Sequence, residues 1–317
     1  MHKFEDRDIS RRDFTSAGFA ASVALINRSP MYARDSGIVS TMISEAAKAK
    51  ISVRALRRHI SVLEGSGGNI AVLTGPDGKL LVDAGFAVSR PAIGEALTSI
   101  NSDPIKHLIN THWHTDHTDG NEWLHSEGAS ITAHDNTRKR MSVATKVEDW
   151  NHTFPAAPLG ALPATVFTSE CDLHRNDSFI QMKHYAPAHT DSDISVCFTE
   201  ADITHVGDTW WNGLYPFIDY STGGSIDGSI RAAEVNLAAT TNKTIIIPGH
   251  GPVGGKSDVR EFRDMLVTVR ENTAALKKEG RSVDETIAAR PTAAFDEKWG
   301  QFLITPTLFT RLVYAGV

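Results

Sequence analysis

Apolar positions along this chain fall into short runs of alternating or continuous hydrophobicity, and these predict strands separated by stretches of helical period. Ile51–Leu56 alternates, and a second run ends at the turn signal Glu64-Gly65-Ser66-Gly67-Gly68. Asn69–Thr74 and Lys79–Asp83 flank Gly75-Pro76-Asp77-Gly78 and predict a hairpin. A helix is expected from about Arg90 to Ile100, then buried strands at Lys106–Asn110 and Ser130–Ala133. Residues 145–164 are rich in Pro and Ala and read as irregular. Strands recur near 165–168, 178–184, 194–198 and 203–206. Ser225 is placed to cap a helix reaching Ala239, and Thr244–Ile247 forms a last buried strand before Pro248-Gly249-His250-Gly251-Pro252. The remainder reads as helical, with Phe262, Leu266 and Val269 on one face. Strands and helices thus recur in two successive halves, which predicts an α/β fold of two sheets with helices outside.

The first 34 residues follow another logic. Ser10-Arg11-Arg12-Asp13-Phe14 has the form of a twin-arginine signal, and the weakly apolar stretch Thr15–Ile26 behind it is too short to span a membrane. Export to the periplasm is the expectation, with a cytoplasmic protein as the alternative. Residues 35–317 then form the folded domain, with a helical extension over about 256–317. Of the 317 residues, 32 are Lys or Arg and 38 are Asp or Glu, a net charge of −6 that argues against a phosphate-coated partner such as nucleic acid. Two cysteines cannot build a disulfide framework, and no run of 18 apolar residues predicts stable membrane insertion. A small-molecule substrate is the expected partner, and a homo-oligomer remains open.

Chemistry concentrates directly after the strand at 106–110, where the chain reads Thr111-His112-Trp113-His114-Thr115-Asp116-His117. With 14 His and 23 Asp in the chain, H-x-H-x-D-H would arise by chance only about 0.002 times. A strand end aims alternate residues the same way, so His112 and His114 can grip one ion, and a following helical turn would aim Asp116 and His117 at a second point. Imidazole and carboxylate ligands suit Zn²⁺ and are acceptable to Fe or Mn. His189, Asp208 and His250 each follow an apolar run near Gly or Pro, where several strands would present them at one sheet edge.

The ordered set H-x-H-x-D-H at 112–117, then His189, Asp208 and His250, with the strand end Leu81-Val82-Asp83 upstream, resembles the metallo-β-lactamase-fold metallohydrolases, over about residues 51–255. The resemblance implies an αββα sandwich, two β-sheets packed face to face with helices outside. It implies that His112, His114 and His189 hold one metal, that Asp116, His117 and His250 hold a second, and that Asp208 bridges them, with Asp116 also catalytic. Two zinc ions sharing a hydroxide would then hydrolyse an ester, lactone, thioester or amide. Asp208 stands where the best-known zinc β-lactamases carry Cys, which brings the chain nearer the glyoxalase-II-like and lactonase-like members. A β-lactamase-type activity and an iron-dependent, sulfur-dioxygenase-like oxidoreductase are the alternatives.

Around this set, several residues have two readings. Asp83 is a carboxylate behind a ligand imidazole or a turn-former before Gly85. His134 borders the site or sits beside a helix cap. Residues 209–220 pack five aromatics into a dozen positions, so Trp210, Trp211, Tyr215 and Tyr220 are either a substrate wall or core. Cys171 and Cys197 read as small buried apolar side chains.

Overall fold

The computed structural model describes residues 37–65 and 67–317; the expected export segment at 1–34 lies outside them. After helix α1 (Ile38–Ala46), strands β1 (Ser52–Ala55), β2 (Ile60–Glu64), β3 (Ile70–Leu73) and β4 (Lys79–Val82) form an antiparallel meander. Helix α2 (Arg90–Ile100) crosses to β5 (Ile105–Ile109), which pairs parallel with β4. Two short helices, α3 (Thr115–Thr118) and α4 (Asn121–Ser126), lead to β6 (Ser130–His134), and α5 (Asp135–Met141) follows. Strands β7 (Thr145–Val147) and β8 (His152–Phe154) form a hairpin of their own, and β9 (Thr165–Phe167) returns to complete a seven-stranded sheet.

The second sheet has five strands: β10 (Glu170–Arg175), β11 (Ser178–His184), β12 (Ile194–Phe198), β13 (Ile203–His205) and β14 (Ile245–Ile247). Only β13 and β14 pair in parallel, because α6 (Ile226–Ala239) intervenes as a crossover. Helices α7 (Lys256–Lys278), α8 (Val283–Ala289), α9 (Asp296–Trp299) and α10 (Pro306–Gly316) finish the chain.

Burial explains the layering. Ile60, Val62, Leu73, Leu80 and Val82 of one sheet pack against Ile180, Met182, Val196, Phe198 and Ile203 of the other. The alternate residues Leu63, Val72 and Leu81 face outward and meet Ile93 and Leu97 of α2 and Trp123 and Leu124 of α4. On the far side Val206 and Ile246 are covered by Val259, Phe262, Leu266 and Val269 of α7, with Phe309 and Leu312 of α10. Both faces of the first sheet are therefore dry, which is why β3 and β4 read as continuous apolar runs. The architecture is the αββα sandwich expected.

The elements anticipated from hydrophobic pattern all form, with bounds shifted by a residue or two. Two corrections concern polar or Pro-rich sequence. Residues 145–164 are not wholly irregular, since β7 and β8 pair there around a left-handed Asn151. Strand β10 also carried no clear sequence signal, being an edge strand whose outward positions are exposed and polar.

Candidate metal centre

The parallel pairs bring the C-terminal ends of β4, β5, β13 and β14 to one edge of the sandwich, and the candidate ligands follow those ends. After β5 the chain is tied down before it turns: Thr111 donates its backbone N–H and its hydroxyl to the two oxygens of Asp83, at 2.7 and 2.8 Å. His114 then occupies the cap position of α3, and that single turn carries Asp116 and His117. Beneath it Asn110 and Asn121 exchange side-chain amide hydrogen bonds at 3.0 and 2.9 Å, while the Asn110 amide also reaches the His117 carbonyl at 3.3 Å.

The seven residues form two adjacent groups. One ligand atom from each of His112, His114, His189 and Asp208 lies within 4.8 Å of the others, and the same holds for Asp116, His117 and His250. All seven are buried. Asp208 touches both groups: Oδ2 lies 3.3 Å from His189 Nε2 and 3.4 Å from His250 Nε2, and Oδ1 lies 3.1 Å from His117 Nε2.

Outer partners fix which imidazole nitrogen faces inward. His114 presents Nε2 to Asp219 Oδ2 at 3.0 Å, His189 presents Nδ1 to the Phe217 carbonyl at 2.9 Å, and His117 presents Nδ1 to Asp83 Oδ2 at 2.7 Å. Each of these outward nitrogens donates, which leaves the inward one to ligate when the ring is neutral. His114 Nδ1 and His189 Nε2 face each other at 2.8 Å. Both rings are buried, and one cation could be held by the two nitrogens. His112 Nε2 and Asp208 Oδ1 are likewise buried without a hydrogen bond. The donor set fits metal ions at both groups.

Charge points the same way. Burial keeps His189 neutral, its pKa lowered to about 4, and pushes His112 well below the usual imidazole range. A neutral ring is the form that ligates. In the second group burial is overcome by the carboxylates: Asp208 and Asp116 raise His250 to about 9 and hold His117 well above its ordinary value. Asp208 itself is opposed by burial but held well below the carboxylate range by His250, His117, His189 and His112. The second group thus calls for positive charge, which a cation can supply in place of protons. Glycines leave the room: a Cβ at Gly249 would stand 1.9 Å from Asp208 Oδ1, and one at Gly68 2.1 Å from the His117 ring.

Other expected residues divide. Asp83, at φ 69°, is both a left-handed turn residue and the carboxylate behind His117. His134 caps α5 instead of bordering the centre: Nδ1 accepts the Asn136 N–H at 3.2 Å and Nε2 donates to the Thr168 carbonyl at 3.0 Å. Trp210 is fully buried core. Trp211 is also buried, its ring 4.2 Å from that of His250. Tyr215 is committed elsewhere, donating to the Thr292 carbonyl and Asp296 and stacking on Phe309 at 4.5 Å. Tyr220 packs against the same core, its hydroxyl buried near Gly316. Both hydroxyls point to the C-terminal helices, which anchor the aromatic loop.

Sequence reasoning missed three residues. Asp219 lies inside that aromatic loop with no spacing signal. Asp193, four residues after His189, accepts its backbone N–H at 2.8 Å and the Thr190 hydroxyl at 2.6 Å. Trp150, in the stretch read as irregular, lies with its ring 5.5 Å from that of His114 and stacks on Phe217 at 4.5 Å.

A sequence profile of the metallo-β-lactamase superfamily matches residues 63–261. Comparison with curated protein sequences returned no match. Among solved structures, a double mutant of the sec-alkyl sulfatase PisA1 superposes with a TM-score of 0.61 at 13% identity, covering 89% of this chain. The chain spans about half of that enzyme's length, 54%. The DIM-1 metallo-β-lactamase superposes with a TM-score of 0.55 at 18% identity, over 69% of this chain and 98% of that one. A metallo-β-lactamase from Pontibacter korlensis gives 0.54 at 15% identity, over 68% and 99%.

Proposed function

The chain belongs to the metallo-β-lactamase superfamily, and from that premise we propose that it is a dinuclear zinc-dependent hydrolase of small esters, lactones, thioesters or amides. The observation that carries the reading is the pair of adjacent buried ligand groups, His112, His114 and His189 on one side and Asp116, His117 and His250 on the other, with Asp208 touching both. His112, His114 and His189 would hold one ion, Asp116, His117 and His250 the other, and Asp208 would be shared. Bound there, the two ions supply an activated water at neutral pH and polarise the scissile carbonyl.

The chain's own residues do the rest. Asp219, Asp83 and the Phe217 carbonyl keep His114, His117 and His189 in the ligating tautomer. Asp116, whose Oδ2 lies 3.2 Å from His250 Nε2, would take a proton from the attacking water and return it to the leaving group. Zinc suits a mixed set of imidazole and carboxylate, and no serine or cysteine nucleophile is needed.

The test has two arms. Elemental analysis of protein purified without chelator should find close to two zinc per chain; one iron and no zinc would favour an oxidoreductase. A matched kcat/KM comparison on an activated ester, a lactone, a glutathione thioester, a chromogenic β-lactam and an alkyl sulfate ester then ranks the chemistry. A β-lactam preferred over every ester would make antibiotic hydrolysis the activity.

Among the described residues no helix is long and apolar enough to cross a membrane. Export of the folded protein through the twin-arginine motif is part of the proposal. Arg11→Lys with Arg12→Lys should retain it in the cytoplasm, and wild-type protein found only there would end that part.

A further inference from the structure

Among the described residues the hairpin β7–β8 pairs with no other strand, yet its tip carries a tryptophan that is only 7% exposed. An isolated two-stranded hairpin is marginal by itself, so its position depends on what it docks against. Trp150 docks on the centre: it stacks on Phe217 at 4.5 Å and its ring lies 5.5 Å from that of His114. The tip is pinned by the Glu148 N–H, which donates to Ser221 Oγ at 2.9 Å, in the same loop that supplies Asp219. Trp113 lies 4.7 Å from His114 and Phe154 lies 5.7 Å from Trp113, ring to ring. Apart from Asp219, Asp208 and the fellow histidines, the rings beside His114 are those of Trp113, Trp150 and Phe217.

Among the described residues no basic side chain is paired to the same ligand set. Each ion pair made by the seven candidate ligands joins a histidine to an aspartate, and among the described residues none involves Lys or Arg. A metal-bound molecule with an anionic tail beside His114 would set that tail against buried aromatic surface and the carboxylate of Asp219, with no Lys or Arg paired to the ligand set to offset its desolvation.

We propose that the hairpin is the specificity element of the centre, that Trp150 sets the size of the group admitted beside His112, His114 and His189, and that this group is uncharged and apolar. The inference rests on the hydrolase reading for the reaction but not for the binding. Its substrates are neutral esters or lactones with a compact alkyl or aryl acyl group, because a long chain competes with the indole for the same space.

Hydroxamic acids, which bind metal centres without being turned over, separate the two. Zinc-loaded protein is titrated with butanohydroxamic, octanohydroxamic and succinic monohydroxamic acids, for wild type, Trp150→Ala and Trp150→Phe. Wild type should bind the butanoyl compound about tenfold more tightly than the octanoyl compound. Trp150→Ala should abolish or reverse that preference, and Trp150→Phe should move it part of the way, which keeps the test alive should the alanine variant fail to fold. The succinyl compound, with its free carboxylate, should bind about tenfold more weakly than the butanoyl one throughout. An unchanged chain-length preference in both variants, a succinyl compound as tight as the butanoyl one, or no binding of any of the three would overturn the proposal. Binding in the expected order with no ester cleaved would leave it standing and end the hydrolase reading instead.

Discussion

His114 Nε2 and Asp219 Oδ2 lie 3.0 Å apart, and that contact determines which nitrogen of His114 faces His189. The Asp219 carboxylate is itself held, Oδ2 accepting from Thr222 Oγ1 at 2.6 Å and Oδ1 from the Ser221 N–H at 3.0 Å. Trp113 Nε1 donates to the same Thr222 hydroxyl at 3.2 Å, so the residue between two ligands helps fix the partner of one of them.

Asp219→Asn keeps the shape of that partner but can offer an N–H to His114 and favour the wrong tautomer. Affinity for the metal at the first group should fall by about 10- to 100-fold, with the circular dichroism unchanged. Chelator competition measures it, and wild-type affinity would show that His114 needs no such partner.

Asp208→Ala should lower metal content at both groups together, since the carboxylate touches ligands of each. Asp208→Cys should retain part of it, because a thiolate binds one ion. Metal stoichiometry after gel filtration is the readout.

Glycine positions give a paired stability test. Gly249→Ala places a Cβ 1.9 Å from Asp208 Oδ1 and 2.8 Å from the Gly207 carbonyl carbon, and should cost about 2 kcal/mol along with metal. Gly94→Ala, inside α2 with nothing within 4 Å, should instead stabilise by about 0.5–1 kcal/mol. Denaturant midpoints distinguish the two.

His134 predicts an acid-side loss of stability. Burial, then the stacked ring of His184 3.7 Å away, lowers its pKa, and Nδ1 must stay unprotonated to cap α5. The unfolded chain therefore takes up this proton first. The His134 contribution is intact above the ordinary imidazole pKa of about 6.5 and declines as pH falls below it. His134→Asn, which can still cap, should flatten stability between about pH 7.5 and 5.5 relative to wild type. An unchanged slope would remove His134 from the acid response.

Tyr215→Phe should cost about 1 kcal/mol through the lost bonds to Thr292 and Asp296 while leaving kcat/KM unchanged. A selective fall in turnover would return this tyrosine to the substrate side.

The sequence by itself determined the two-sheet α/β architecture and the H-x-H-x-D-H cluster, and the resemblance to a family added the sandwich and the full set of seven ligand candidates. The first two are carried by local pattern: apolar runs of strand length recur in two halves, and H-x-H-x-D-H needs only a strand end and one helical turn to aim its side chains. Ser225 capping α6 through the Gly228 N–H at 3.0 Å is legible for the same reason. Tertiary structure alone decided the outer partners and the walls. Asp219 is 105 residues from His114, and Trp150 comes to it on a hairpin whose polar, three-residue strands are too short to signal in the sequence. It also decided among equal readings: Asp83 went to His117, His134 to a helix cap, and Tyr215 to the C-terminal helices. Residue type and spacing state what a side chain can do. Which of its atoms faces which neighbour is set by contacts between segments distant in the chain, and those exist only once the sheets have packed.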